Sequence, residues 1–505
     1  MAGERFVLGI DNGGTVIKAA LFSLDGKELA AASRQTAVIT PRPGYTERDM
    51  ENLWEQNCAC IRQVIADSGV SPAAIAGLAV CGHGKGLYPW GRDGKPAYNG
   101  IISTDNRAWQ YPEKWKREGS FDAVYPRLCQ QIMPCQPVSL LAWFKEHDRA
   151  VYDNIKWAFS VTDYVRFRLT GEAWSEATNI SGSALMNVRD ASIDRDLLAA
   201  LGIEEAAGMI PPLRYSSEHC GAVTAETAGL TGLVPGTPVA GGMFDIDSCA
   251  IAMSVTRPEH LCTITGTWSI NEFISRAPVT NTCVAMNSLY AIPGFYLLEE
   301  SSATSAGNLE WVIQNCFENE KVPEGKKLYQ YLDELAGSVP PDSCDVYFLP
   351  FLYGSNRHPL AKASFIGLTS FHGKAHLLRS VFEGVVFSAK SHIDKLLSIR
   401  KAPEAVRLAG GAANSRFWVQ MFADVLELPV ETVTGVKELG ALGCGMAAAV
   451  ASGIYRDYNE AAEAMVRISP PVFPNPENSA LYRPKYEKYT ALCEALDTVW
   501  NRFEV

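Results

Sequence analysis

The segment FVLGIDNGGTVIKAALF, Phe6 to Phe22, constrains the fold from its first residues, because two apolar runs meet at a turn too short for anything but a reversal. Phe6, Val7, Leu8 and Ile10 precede the turn, and Val16, Ile17, Ala19, Leu21 and Phe22 follow it. Both runs read as buried strands, with Asn12, Gly13 and Gly14 supplying the turn chemistry. Glycines at such a tip let backbone N–H groups approach an anion closely. The carboxylate of Asp11 would repel a bare phosphate, yet it suits Mg²⁺ that bridges phosphates. An ordinary hairpin with a DNGG turn is the competing reading of the segment alone. Lys18 is either a cation at the same mouth or a solvated strand lysine.

The 505 residues exceed one ordinary core and predict two large domains or three smaller ones. A net charge of −11 argues against non-specific nucleic-acid binding. The N-terminal MAGERFVLG lacks a basic region followed by an apolar one, and no apolar run reaches the length of a membrane span. The expectation is therefore a cytoplasmic protein with no membrane association. Thirteen cysteines in mostly apolar contexts read as reduced core thiols rather than a disulfide framework. Cys58 and Cys60 form a CxC on a helical pattern, and buried filler is the favoured reading over metal binding.

After the hairpin, a DGKE turn and a third strand near Leu29–Ser33 make an antiparallel meander rather than a βαβ start. Leu53, Trp54, Cys58, Ile61, Val64 and Ile65 recur at helical spacing, and IAGLAV follows as a strand. Past the middle, LCTI, a TGT turn and SINEFI repeat the strand, glycine turn, strand format, so the chain reads as duplicated. Later come a helix over Ala375–Leu397, a strand ending in LAGGAANS, and a helix over Phe417–Leu428 with Ser415 as its N-cap. The expected domains are residues 1–250 and 251–505. A cleft between two such lobes is the natural place for a nucleotide and its acceptor. Neither GxxxxGK[ST] nor GxGxxG occurs, so phosphate recognition must come from hairpins.

Phosphoryl transfer needs cradled phosphates, a metal counter-ion and a carboxylate that takes the acceptor's proton. Asp11, Gly13, Gly14 and Thr15 supply one phosphate hairpin, and Gly266 with Thr267 the other. In GGMFDIDS, Asp245 at the end of an apolar strand suits a general base; Asp247 competes, since strand alternation puts both on one side. GHGKGL places His83 and Lys85 between glycines, as a small polar ligand would require, or as a solvated bend would allow. Asp105 and Arg107 read as an acid and a bidentate donor for that ligand, or equally as a surface ion pair. Gly410 and Gly411 let a backbone lie against a flat ring, with Asn414 at its polar edge or acting as a helix cap.

Together these motifs resemble the FGGY carbohydrate kinases along nearly the whole chain. GIDNGGTVIK is similar to the family's first phosphate motif, with Asp11, Gly13, Thr15 and Lys18 at matching places, and GYTERDMENLW to its acidic-then-Trp segment. TDYVRFRLTGE, SEATNISGS, GGMFD, TGTW, SAGNLEW and LAGGAANSRFWVQMFADVLELPV follow in the family's order. The resemblance implies an α/β fold of two actin-like, ribonuclease H-like domains with an interdomain active-site cleft. It also implies ATP and Mg²⁺ as cofactors and a small-molecule sugar as partner, with a homodimer as the family's expectation. It assigns the catalytic role to Asp245 over Asp247 and Mg²⁺ to Asp11 and Asp245. Gly307, Gly410, Gly411 and Asn414 would hold the nucleoside, and His83, Lys85, Asp105 and Arg107 the sugar.

GHGKG stands where the D-xylulose kinases have GQMHG, and Asp245 is followed by Ile246 rather than Asn. The GKGL loop and FLPFLYGSN look most like the L-xylulose kinase branch, in which His83 replaces a glutamine. That implies phosphorylation of L-xylulose to L-xylulose 5-phosphate. D-xylulose, L-ribulose, a tetritol or glycerol are the alternatives within the family, and a non-catalytic nucleotide-dependent sugar sensor is the alternative outside it.

Overall fold

The computed structural model describes residues 4–266, 268–280, 284–317, 320–358 and 360–503. The chain divides into two compact units. The first holds Met1–Thr256, Ile274–Leu298 and Thr434–Arg467, and the second Arg257–Phe273, Glu299–Val433 and Ile468–Val505.

In the first unit, β1 (Phe6–Asn12), β2 (Val16–Ser23) and β3 (Glu28–Gln35) form the expected antiparallel meander. A short strand β4 (Glu47–Arg48) precedes helix α1 (Met50–Ser68), whose N-cap Asp49 accepts the N–H of Asn52 at 2.8 Å. β5 (Ile75–Gly82) then returns parallel to β1. Beyond it the chain adds the strand Pro238–Ala240 and, further along β5, the strand Met243–Phe244.

β1 is buried on both faces, and its alternation sorts two environments. Phe6, Leu8 and Ile10 join the core that includes Leu53, Trp54, Ile61 and Val64 of α1. Fully burying a side chain such as Leu8 contributes roughly 1.5–3 kcal/mol. Val7, Gly9 and Asp11 face the helix Leu439–Ala451, which arrives from the far end of the sequence and packs at backbone distance. A Cβ at Gly9 would lie 1.8 Å from Ala441 O, one at Gly443 would lie 2.1 Å from Ser248 O, and one at Gly440 would lie 2.6 Å from Asp11 Oδ2. The Gly/Ala richness of this helix is thus a packing requirement.

The second unit repeats the local format. The strand His260–Thr265 pairs antiparallel with Ser269–Ser275 and parallel with Ala405–Gly410, which pairs parallel with Val430–Thr432. The helices over Lys374–Leu397 and Arg416–Leu426 form close to where periodicity places them. Ser415 Oγ caps the latter by accepting the Trp418 N–H at 3.0 Å.

Cys58 and Cys60 are buried free thiols. Among the described residues, no helix is long and apolar enough to cross a membrane.

Substitution tests the close packing. Gly9→Ala is expected to cost on the order of 3 kcal/mol, because two backbones would have to separate. Gly14→Ala, whose Cβ meets nothing within 4 Å, should stay within about 0.5 kcal/mol of the parent. Urea unfolding midpoints of the two variants compare them directly.

Candidate active site

Three parallel strand ends in the first unit bring the predicted acids together. Asp11 lies level with Cys81 and Met243, and Asn12 with Gly82 and Phe244, so His83 and Asp245 follow one step beyond. The charges of both Asp11 and Asp245 act on the Cys81 thiol, whose pKa is raised first by burial and then by its neighbours.

Asp11 Oδ1 is out of solvent and has no hydrogen-bond partner. Burial raises its carboxyl from 3.8 to about 6, with Lys18 and the Cys81 thiol pulling the other way. A half-buried aspartate whose Oδ1 is out of solvent and unpartnered fits a divalent cation. Among the described residues, no group of three or more His, Cys, Asp or Glu forms a metal cluster.

The hairpin tip is held from outside the hairpin. Gly13 spends its N–H on Val16 O at 3.1 Å. Arg48, 1% exposed, donates Nη1 to Gly13 O at 3.2 Å and Nη2 to Gly14 O. Lys18 is bound at 2.8 Å to Glu438, so its charge is balanced within the unit. Burial works against that charge, but Glu438 outweighs it and the lysine pKa rises.

His83 continues from β5 and gives its N–H to Asn12 O at 3.0 Å. Its ring is buried, with Nε2 at 2.9 Å from Tyr88 Oη and Nδ1 at 3.2 Å from Gly84 O. Burial, reinforced by the charge of Arg48, lowers its pKa to about 3, so the imidazole is neutral at working pH. Lys85 is half-buried and holds φ 63°, a left-handed conformation that costs a non-glycine residue energy. The loop is tied down by Gly86 N–H to Cys135 O at 2.7 Å and by the pairing of Leu87 with Ile101.

Asp105 and Arg107 are not the surface ion pair that their exposed-looking sequence allows, for both are buried. Asp105 accepts from Arg107 Nε and Nη2, each at 2.9 Å, and from the Thr46 N–H at 2.7 Å. Arg107 Nη2 also reaches Glu47 at 2.7 Å, and the guanidinium lies 4.3 Å from the Tyr45 ring centroid. Burial opposes its charge, but the two carboxylates prevail and raise its pKa. Arg107 Nη1 is the buried guanidinium nitrogen left without a hydrogen-bond partner. Asp105 therefore fixes the guanidinium of Arg107.

Asp245 begins the helix Asp245–Ala252 rather than ending a strand. Strand alternation consequently does not put Asp247 beside it: two residues along a helix are on different sides. Asp247 is fully buried and accepts the Ala291 N–H at 3.0 Å, whereas Asp245 is partly exposed.

In the second unit, Thr265 Oγ1 donates to Ala409 O at 2.7 Å and accepts the Ala412 N–H at 3.0 Å. Gly307 N–H reaches Gly266 O at 3.2 Å. Gly410, at φ 82°, lets its backbone lie where a Cβ would be 2.2 Å from Thr265 O, and Gly411 lies next to Ala306. Asn414 Nδ2 is 3.4 Å from Gly410 O. These residues share one locality. Thr267 lies outside the described residues.

Arg48, Glu47, Tyr88 and Glu438 were not singled out from sequence. The first two lie in GYTERDM, where ERD was a usable signal; Glu438 is some four hundred residues from its partner and carried none.

Two units of one repeated strand plan, with acids at parallel strand ends and glycines around a second turn, define a two-domain phosphotransferase of actin-like fold. Residues 6–252 match the FGGY family of carbohydrate kinases, N-terminal domain, and residues 261–452 its C-terminal domain. The chain is 36% identical over 493 residues to the L-xylulose/3-keto-L-gulonate kinase of Escherichia coli (strain K12), spanning 97% of each. It is 36% identical over 493 residues to a probable L-xylulose kinase of Pasteurella multocida (strain Pm70), spanning 97% of this chain and 99% of that one. The solved ligand-bound xylulose kinase from Lactobacillus acidophilus shares the fold, with a TM-score of 0.89 over 99% of this chain and 100% of that one at 24% identity. The chain belongs to the FGGY family of carbohydrate kinases and is a sugar phosphotransferase that uses ATP.

The raised Asp11 pKa gives a signed pH dependence. Between pH 3.8 and about 6 the unfolded chain has lost this proton while the folded one keeps it, so this group makes stability fall as pH rises through that window. Asp11→Asn removes the cost. It should stabilise the ligand-free protein at pH 8 by on the order of 1–3 kcal/mol, with the gain fading toward pH 4, as read by urea unfolding at both values.

Proposed function

We propose that the protein transfers the γ-phosphoryl group of ATP to the terminal hydroxyl of a ketopentose, with L-xylulose giving L-xylulose 5-phosphate. The observation that carries the sugar choice is the GHGKG loop, with neutral His83 fixed by Tyr88, in a chain 36% identical to an L-xylulose/3-keto-L-gulonate kinase over 97% of its length.

In this reading Asp245 accepts the hydroxyl proton as the oxygen bonds to the γ-phosphorus and the bond to the β–γ bridging oxygen breaks. Its partial exposure at a helix start suits a base that must meet a substrate. Gly14, Thr15 and the Arg48-braced tip orient phosphate, Gly13 shapes the turn, and the Lys18–Glu438 pair borders it. Gly266, Thr267, Gly307, Gly410, Gly411 and Asn414 receive the nucleotide. His83, Lys85 and Arg107 Nη1 meet the sugar, with Asp105 holding the arginine. Mg²⁺, held largely through water by Asp11 and Asp245, would offset phosphate charge when bound. A cytoplasmic setting, expected from the sequence, and a homodimer, expected of the family, accompany this proposal.

Coupled ADP release across L-xylulose, D-xylulose, L-ribulose, a tetritol and glycerol tests the assignment. The highest kcat/KM is expected for L-xylulose. A higher value for another acceptor replaces the sugar, and ATP binding with no sugar-stimulated ADP release supports a sensor instead.

A further inference from the structure

Glu176 has no role in the chemistry above, yet it is a fully buried carboxylate close to the catalytic segment. It accepts from Thr178 N, Asn179 N and Asn179 Nδ2, each at 3.0 Å, and from Thr178 Oγ1 at 2.6 Å. Since that hydroxyl gives its hydrogen to Glu176, its lone pairs are directed elsewhere. They take the N–H of Phe244 at 2.8 Å. Phe244 is the N-cap of the helix that begins at Asp245, and its backbone lies opposite Gly82. Its ring occupies the space that Gly84 vacates, where a Cβ would stand 2.1 Å from Cζ. Behind Glu176, its own N–H is fixed at 2.9 Å on Asp163, which is paired at 2.7 Å with buried Arg166.

We infer that Glu176, acting through the Thr178 hydroxyl on the Phe244 N–H, is a positioning residue that sets the direction in which Asp245 presents its carboxylate. The inference rests on Asp245 being the base. An ordinary helix cap explains the bonds from Glu176 to Thr178 N and Asn179 N, but it does not require the bond onward to Phe244.

Thr178→Val keeps the side-chain shape and leaves the Phe244 N–H without its acceptor. It is expected to lower kcat roughly ten- to hundredfold while KM for ATP stays within about twofold, and Thr178→Ser should retain kcat within about threefold. In an Asp245→Asn background, Thr178→Val should cost less than about a further twofold, because the group it positions is gone. A Thr178→Val enzyme with kcat within about twofold of the parent, or an equal loss in both backgrounds, overturns the inference. If Thr178→Val does not fold, Glu176→Gln is read by the same kcat, KM and background comparison, with the same two outcomes. Near-parental turnover in Asp245→Asn alone overturns the base assignment, and that result is separate from the Thr178 comparison.

Discussion

The contact on which the first unit depends is that of the helix Leu439–Ala451 against β1 and β5. At Gly9, Gly440 and Gly443 a Cβ would come within 3 Å of the opposing layer, so the two layers approach closer than side chains there would allow. Ser248 Oγ and the Cys81 thiol both reach Gly440 O, at 2.7 Å and 3.5 Å, which ties the helix to the helix Asp245–Ala252 and to β5. The chain thereby excludes water from one face of β1. Asp11, the last residue on that face before the hairpin tip, inherits this dryness and with it a raised pKa.

The acids of the site consequently differ in kind. Asp11 has a carboxyl whose pKa is raised by desolvation and whose Oδ1 is out of solvent and unpartnered, an arrangement that fits a cation. Asp247 is buried and engaged by a backbone N–H. Asp245 stands partly open at a helix start, next to a neutral His83 that neither adds nor competes for charge. Arg48 links these parts, because its guanidinium braces the hairpin tip while its charge helps to keep His83 neutral. The same economy appears at Arg107, whose two carboxylate partners leave Nη1 without a hydrogen bond.

Much of this was legible in the sequence, for identifiable reasons. Glycine turns between apolar runs specify hairpins locally, and the repeat of that format at LCTI-TGT-SINEFI gave the duplication that the second sheet bears out. The long helices announced themselves by periodicity. What local pattern does not carry is long-range partnership. The pairing of Lys18 with Glu438 and the lid of Gly440 over Asp11 join residues with no sequence proximity. The burial of Asp105 and Arg107 depends on Glu47 and Tyr45 from a separate segment. Strand alternation also misled at Asp245–Asp247, because the strand ends at Phe244 and helical geometry takes over.

The division of labour between the acids is tested most directly by turnover and ATP affinity in purified, folded Asp245→Asn. In the proposed reading turnover should fall by roughly 10²–10⁴ while the ATP Kd measured without Mg²⁺ stays within about threefold of the parent, since the variant removes the proposed base and leaves the nucleoside-binding residues of the second unit unchanged. Turnover close to the parent's in a folded Asp245→Asn protein would contradict the assignment of the base and the reading of the site built on it.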